Sequence, residues 1–194
     1  MIQSKQDYRF YLLEDAKRAG FPTINTLKGR IVYWAKLLYG SEPAHALRYM
    51  RILRKYEYVN NCYRGICRGG VVAFFRFMWS RASLRYGIHV GLNMVGYGFW
   101  IPHITGGVIV NCHSMGNYCG CNGGVIIGNK GGQEFRPTIG DHVSVLMGAK
   151  VYGGITIGSN VIVAPNSVIF KDVPSNCVVA GNPAKIIKTL AEKS

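Results

Sequence analysis

Ile139-Gly-Asp-His-Val-Ser, Val145-Leu-Met-Gly-Ala-Lys, Val151-Tyr-Gly-Gly-Ile-Thr, Ile157-Gly-Ser-Asn-Val-Ile, Val163-Ala-Pro-Asn-Ser-Val and Ile169-Phe-Lys-Asp-Val-Pro are six consecutive units of six residues. Each opens on an aliphatic residue, carries a small or aliphatic one four places later, and collects Gly, Asn and Asp between. A lone strand repeats at two and a helix at 3.6, so neither explains this period. Fixed-period self-similarity marks a solenoid, and six-residue units are those of a parallel β-helix, whose short strands stack turn on turn around one buried core. Three units close one triangular turn, so residues 139–174 supply two.

The frame continues towards the amino terminus. Ile109, Met115, Cys121 and Ile127 fall on opening positions, with His113, Cys119 and Val125 four places after the first three. All seven are therefore expected to point inward, with His113 a core residue. The stretch Asn129 to Thr138 (Asn-Lys-Gly-Gly-Gln-Glu-Phe-Arg-Pro-Thr) has no apolar opener and reads as a loop pushed out of the coil. Loops ejected from a rigid scaffold often carry function, and a Gly-Gly pair with flanking charges suits a polar ligand.

The chain divides into 1–86, a helical and basic amino-terminal region, 87–188, the β-helix, and 189–194, a basic tail, an α+β architecture overall. Residues 1–98 hold sixteen Lys and Arg against five Asp and Glu, and residues 99–194 hold seven against four, so the net charge of +14 is concentrated in the first half. An anionic partner is implied: a membrane surface or a phosphorylated small molecule before nucleic acid. No run of eighteen apolar residues and no signal-peptide core are present, so the sequence reads as cytoplasmic, with peripheral contact to the inner face of the membrane admitted and the six cysteines reduced.

One helix is expected from Asp7 to Ala19, ending at Gly20, and another from about Thr26 to Tyr39, ending at Gly40. A third begins at Ser41-Glu-Pro and buries Ala44, Leu47, Met50 and Leu53, with Arg48, Arg51, Arg54 and Lys55 on its solvated face. Asn60 to Gly70 reads as a connector. Val71 to Trp79 is apolar but too short to cross a bilayer; burial against the first coil or a neighbouring subunit is expected ahead of a place in a membrane interface.

Walker loops, Gly-x-Ser-x-Gly elbows, paired carboxylates and His-x-x-x-His spacings are absent, so no metal is expected and proton transfer falls to histidine. His103, between Pro102 and Thr105-Gly-Gly just before the regular coils, is the candidate base; His89 is second, His142 a surface corner residue, and His45 the weakest.

Gly96-Tyr-Gly-Phe-Trp-Ile-Pro-His103-Ile-Thr-Gly-Gly-Val-Ile-Val, the hexads, Lys171-Asp-Val-Pro and the exit Gly181-Asn-Pro-Ala-Lys together resemble the left-handed β-helix acyltransferases, within them the serine acetyltransferase-like branch, over about residues 87 to 188. The resemblance implies acetyl-CoA as acyl donor, His103 as general base on an acceptor hydroxyl, and a homotrimer, or a dimer of trimers, with CoA between neighbouring coils. It implies acceptor contacts from Thr105 and Arg136. Cofactor contacts would come from Gly128, Asn129 and Lys130 at the loop, from Ala149 and Ala164 along the pantetheine, and from Lys171, Lys185 or Lys150 at the phosphates. The branch's Arg-His-Pro stands here as Phe135-Arg136-Pro137, and the acids that orient its base align with Ile88 and Pro102. These departures favour a saccharide hydroxyl of cell-surface polysaccharide over serine, which stays open because Arg136 can fork onto a carboxylate. A trimeric scaffold without catalysis is the reading that requires none of these residues.

Overall fold

The computed structural model describes residues 1–129 and 131–191, the side chain of Gln133 excepted. Four helices come first: α1 (Lys5–Arg18), α2 (Leu27–Leu38), α3 (Glu42–Cys62) and α4 (Arg68–Tyr86). Ser4 caps α1 through its hydroxyl and Thr26 caps α2, while Pro43 stands in the first turn of α3. Gly20 and Gly40 follow the first two helices with positive φ, as helix-stopping glycines do.

Short parallel strands follow and wind into three sheets. The first contains β1 (Ile88–Val90), β2 (Val108–Val110), β5 (Val125–Gly128), β8 (Lys150–Tyr152) and β11 (Val168–Ile169). The second contains β3 (Ser114–Met115), β6 (Thr138–Ile139) and β9 (Thr156–Ile157), and the third β4 (Gly120–Cys121), β7 (Ser144–Val145), β10 (Val161–Val163) and β12 (Cys177–Gly181), closed by the antiparallel β13 (Ala184–Thr189). The chain visits first, second and third sheet in turn, the path of a left-handed parallel β-helix with three corners.

Every hexad opener from Ile139 to Ile169 is buried, and so is every residue four places on, including Ser167, whose hydroxyl accepts the amide of Gly181. The regular register is eighteen residues per turn, as in Val151 facing Ile169 across β8 and β11. Between β5 and β8 the step is longer, Ile127 facing Val151, and the surplus residues leave the coil between Gly128 and Thr138. The step before is shorter: Val110 faces Ile127, seventeen residues on. This slip corrects the frame over 109–113. Val108, Val110 and Cys112 occupy the interior, whereas Ile109 and His113 are exposed.

The helices and coil share one core, in which Ala46, Tyr49, Met50, Leu53 and Ala82 join the coil residues. The Tyr49 hydroxyl accepts the amide of Val90 at 2.9 Å and the Trp79 indole at 3.1 Å, tying α3 and α4 to β1. Arg54 is not on a solvated face; it is wholly buried. Its guanidinium reaches Asp15 at 2.9 Å, Glu57 at 3.0 Å and the carbonyls of Val95 and Gly96, and the two acids in turn accept the amides of Phe99 and Asn93. Burial works against the Arg54 charge, but Asp15 and Glu57 outweigh it and hold the guanidinium charged. Burial pushes the Asp15 carboxyl up, with Arg54 pulling it back. Within the chain Ala82 is the one buried residue of α4, so the chain's own coil leaves most of this apolar helix uncovered.

Candidate active site

The corner between the third and first sheets begins after Trp100, which bridges to Gly120, and ends where β2 starts. Its outermost segment is Pro102 to Gly107. Gly106 and Gly107 both have positive φ, 87° and 77°, which lets the chain double back within two residues. Gly123 of the next turn lies directly beneath; a Cβ there would run into the carbonyl oxygen of Thr105. The segment thus rests on glycine at the point of closest approach.

On this platform His103 is largely exposed, with its Nδ1 3.4 Å from Oε2 of Glu42. The same oxygen accepts the Ile104 amide at 2.9 Å, and Oε1 accepts the Thr105 hydroxyl at 3.1 Å. Glu42 comes from the first turn of α3, where a carboxylate also meets the positive end of the helix dipole. The Ile104 amide above all, then the Thr105 hydroxyl and His103, hold the Glu42 carboxyl below the ordinary carboxylate range against a partial desolvation. A carboxylate beside Nδ1 fixes the proton there and leaves Nε2 as the basic nitrogen. The arrangement is a base oriented by an acid, able to take a proton from a hydroxyl in the exposed corner.

Sequence reasoning missed Glu42. Ser41-Glu-Pro was legible only as a helix start, and sixty residues separate it from the histidine it orients.

The remaining residues lie elsewhere. Arg136, half-buried, precedes β6, on the corner between first and second sheets. That corner is at the opposite end of the first sheet's strands from His103, a strand length or roughly 10 Å away. Asn129 sits on this second corner and donates to the Gly132 carbonyl at 2.9 Å. Gly128 pairs with Tyr152 beside it, and the next turn adds the exposed Phe170 and Lys171. Lys171 and Lys185 line one cavity of about 260 Å³ further down the stack. Ala164, by contrast, follows β10 on the His103 corner. Ala149 is fully enclosed in the coil, so its side chain offers no surface to a cofactor, and the Lys150 ammonium is taken up by the carbonyls of Gly124 at 2.6 Å and Gly148 at 2.9 Å. Lys130 lies outside the described residues.

Of the other histidines, His89 packs at a tilt against Trp79 and His142 stacks on Tyr118, with ring centroids 5.1 and 5.3 Å apart. His45 packs against Tyr86 at 5.6 Å. Cys112, Cys119 and Cys121 are interior; burial pushes the first two thiols up to about 12 and about 11. Among the described residues no group of three His, Cys, Asp or Glu could hold a metal ion.

The fold is a left-handed β-helix similar to those of the serine acetyltransferase-like acyltransferases. Residues 136–171 match the bacterial transferase hexapeptide family (six repeats). The chain is 42% identical over 102 residues to a serine acetyltransferase of Synechococcus elongatus, covering 52% of this chain and 41% of that one. It superposes on the crystal structure of Neisseria gonorrhoeae serine acetyltransferase with a TM-score of 0.71 at 25% identity, over 98% of this chain and 70% of that one. The structure of the same enzyme in complex with serine gives 0.69 at 26% identity, over 95% and 71%. The chain spans about two fifths of the length of the Synechococcus relative.

Proposed function

We propose that this protein is an acetyl-CoA-dependent O-acetyltransferase whose acceptor is the hydroxyl of serine. The observation that carries the reading is the His103–Glu42 pair, set on a corner that a β-helix similar to serine acetyltransferases presents to solvent. In the reaction, Nε2 of His103 takes the proton of the acceptor hydroxyl as its oxygen bonds to the thioester carbonyl. Collapse of the tetrahedral species breaks the carbon–sulfur bond, and the same proton passes to the departing CoA thiolate. Glu42 stabilises the imidazolium formed in between.

Serine displaces the saccharide expected from Phe135-Arg136-Pro137, because the relatives reported above are serine acetyltransferases and one of them is solved with serine bound. Arg136 offers the planar fork for the amino-acid carboxylate. It stands on the other corner from His103, so one site using both takes them from neighbouring chains. We therefore propose a trimer in which the His103 corner of one chain, with Ala164 below it, faces the loop corner of the next, with Asn129, Lys171 and Lys185. Acetyl-CoA then lies in the cleft between them, in the cytoplasm where that thioester is made.

Thiol release from acetyl-CoA, with L-serine and a panel of saccharides offered separately, tests the proposal. Serine is expected to accelerate release and His103→Ala to lower it by at least about 10²-fold, the usual worth of a general base. Turnover with a sugar alone would reinstate the saccharide, and full activity of His103→Ala would remove the base.

A further inference from the structure

The helical half carries many cations that stand in no ion pair among the described residues. Its five acids are all engaged: Asp7 at the α1 amino terminus, Glu14 with Lys17 and Tyr118, Asp15 and Glu57 with Arg54, and Glu42 with His103 and its neighbours. A cavity of about 610 Å³ opens between α2, α3 and α4, and its wall includes Arg30, Arg48, Arg51 and Lys55 beside Trp34 and Phe74. A second, of about 530 Å³, shares Arg48 and Met78 with it and adds Arg81 and Arg85; a third, of about 300 Å³, shares Arg51 and adds Arg9. Together the walls of these three adjoining cavities hold seven cations and not a single carboxylate. None of these seven is in an ion pair among the described residues.

The rims of these cavities are apolar and uncovered. On α2, Leu27, Ile31, Trp34 and Leu38 recur at helical spacing along one face and are all exposed. On α4, Phe74, Phe77, Met78 and Leu84 do the same, so an otherwise costly apolar helix lies open to solvent. A second copy of this face would bring seven cations against seven, which argues against self-association here. A bare polyanion such as nucleic acid would neutralise the charge and leave the two apolar ridges in water. A bilayer rich in acidic phospholipid satisfies both, with phosphates in the cavities and the ridges in the outer acyl region.

We infer that the α2–α3–α4 face docks this protein onto an anionic membrane surface, with lipid phosphates held by Arg48 and Arg51 and with Trp34 and Phe77 entering the interface. No helix of the described chain is long and apolar enough to cross the bilayer, so the contact is peripheral. The inference stands apart from the transferase reading, since none of these residues belongs to the His103 or Arg136 corners.

Co-sedimentation of the full chain with vesicles of phosphatidylglycerol and phosphatidylcholine, or of phosphatidylcholine alone, tests it. Binding is expected to the mixed vesicles only, with a blue shift of tryptophan emission that Trp34→Phe removes. Arg48→Glu/Arg51→Glu, at positions without ion pairs, is expected to weaken binding by about tenfold or more with the circular dichroism unchanged. Trp34→Asp/Phe77→Asp, at exposed positions, is expected to do the same without relying on charge reversal in the cavities. No binding to the mixed vesicles, undiminished binding by both variants, or tight binding to a DNA duplex but not to vesicles would each overturn the proposal. So would a smaller assembly for Trp34→Asp/Phe77→Asp with vesicle binding intact, which would make the face a contact between copies.

Discussion

Glu42 holds three partners with two oxygens, and each partner lies within the segment that presents the base. A glutamine in its place keeps the volume but has one acceptor oxygen, so the Ile104 amide or the Thr105 hydroxyl no longer meets a carboxylate oxygen, and the imidazole loses its negatively charged neighbour. Glu42→Gln is expected to lower kcat by about 10–100-fold with little change in KM, as loss of an orienting partner does. The ¹⁵N spectrum of His103 separates positioning from damage to the fold, since the variant should lose the preference for the Nδ1–H tautomer while its melting temperature changes little. Because the carboxyl is held below its ordinary 4.5, the grip on residues 103–105 is complete above that pH and fades as the pH falls through the lowered value. A grip that persisted in acid below it would mean that the carboxylate charge is not what holds the segment. Arg54 works by the same chemistry in a dry setting. Removing it in Arg54→Met leaves Asp15 and Glu57 buried without their cation, and a loss of about 3–5 kcal/mol in urea unfolding is expected. Neither residue was legible for its role, because the helical stripe separates apolar from polar but does not say which polar residue a later coil will cover.

At the scale of elements, the hexads from Ile139 to Ile169 were read in full, since an inward residue every six places is both the sequence pattern and the packing rule. The first three helices were also legible from caps, glycines and prolines. What failed was the extrapolation across Asn111 to His113: a turn that drops one residue at a corner keeps its strands apolar and gives no sign in composition that Cys112 has replaced His113 inside. What covers α4 was not legible for a different reason, because an apolar run states that a cover is needed and not what the cover is. The glycines were partly legible too. Gly123 has an ordinary backbone conformation, so only its contact with Thr105 demands glycine. Gly123→Ala must push the 102–107 segment off the coil, and a fall in kcat/KM of at least about tenfold is expected from the displaced base. Gly69→Ala, helical and in open space, is the matched control and should gain about 0.5–1 kcal/mol with activity unchanged.

For the whole molecule, the three corners of the coil decide what one chain can do alone. His103, Thr105, Glu42 and Ala164 share one corner, Asn129, Arg136 and Lys171 another, and the first sheet stands between them. Apart from Glu42, these residues were candidates from their motifs alone; which of them share a corner required the register, including the seventeen-residue turn and the ejected loop. If neighbouring chains complete one another's sites, His103→Ala and Arg136→Ala trimers are each inactive, but each supplies the corner that the other lacks. Co-refolding the two in equal amounts gives mixed trimers in which an interface is intact only when an unaltered His103 faces an unaltered loop. Random closure around a three-fold ring makes that about one interface in four, so about a quarter of the wild-type serine-dependent rate is expected. A site contained within one chain would return none of it, because every chain in the mixture carries one of the two lesions.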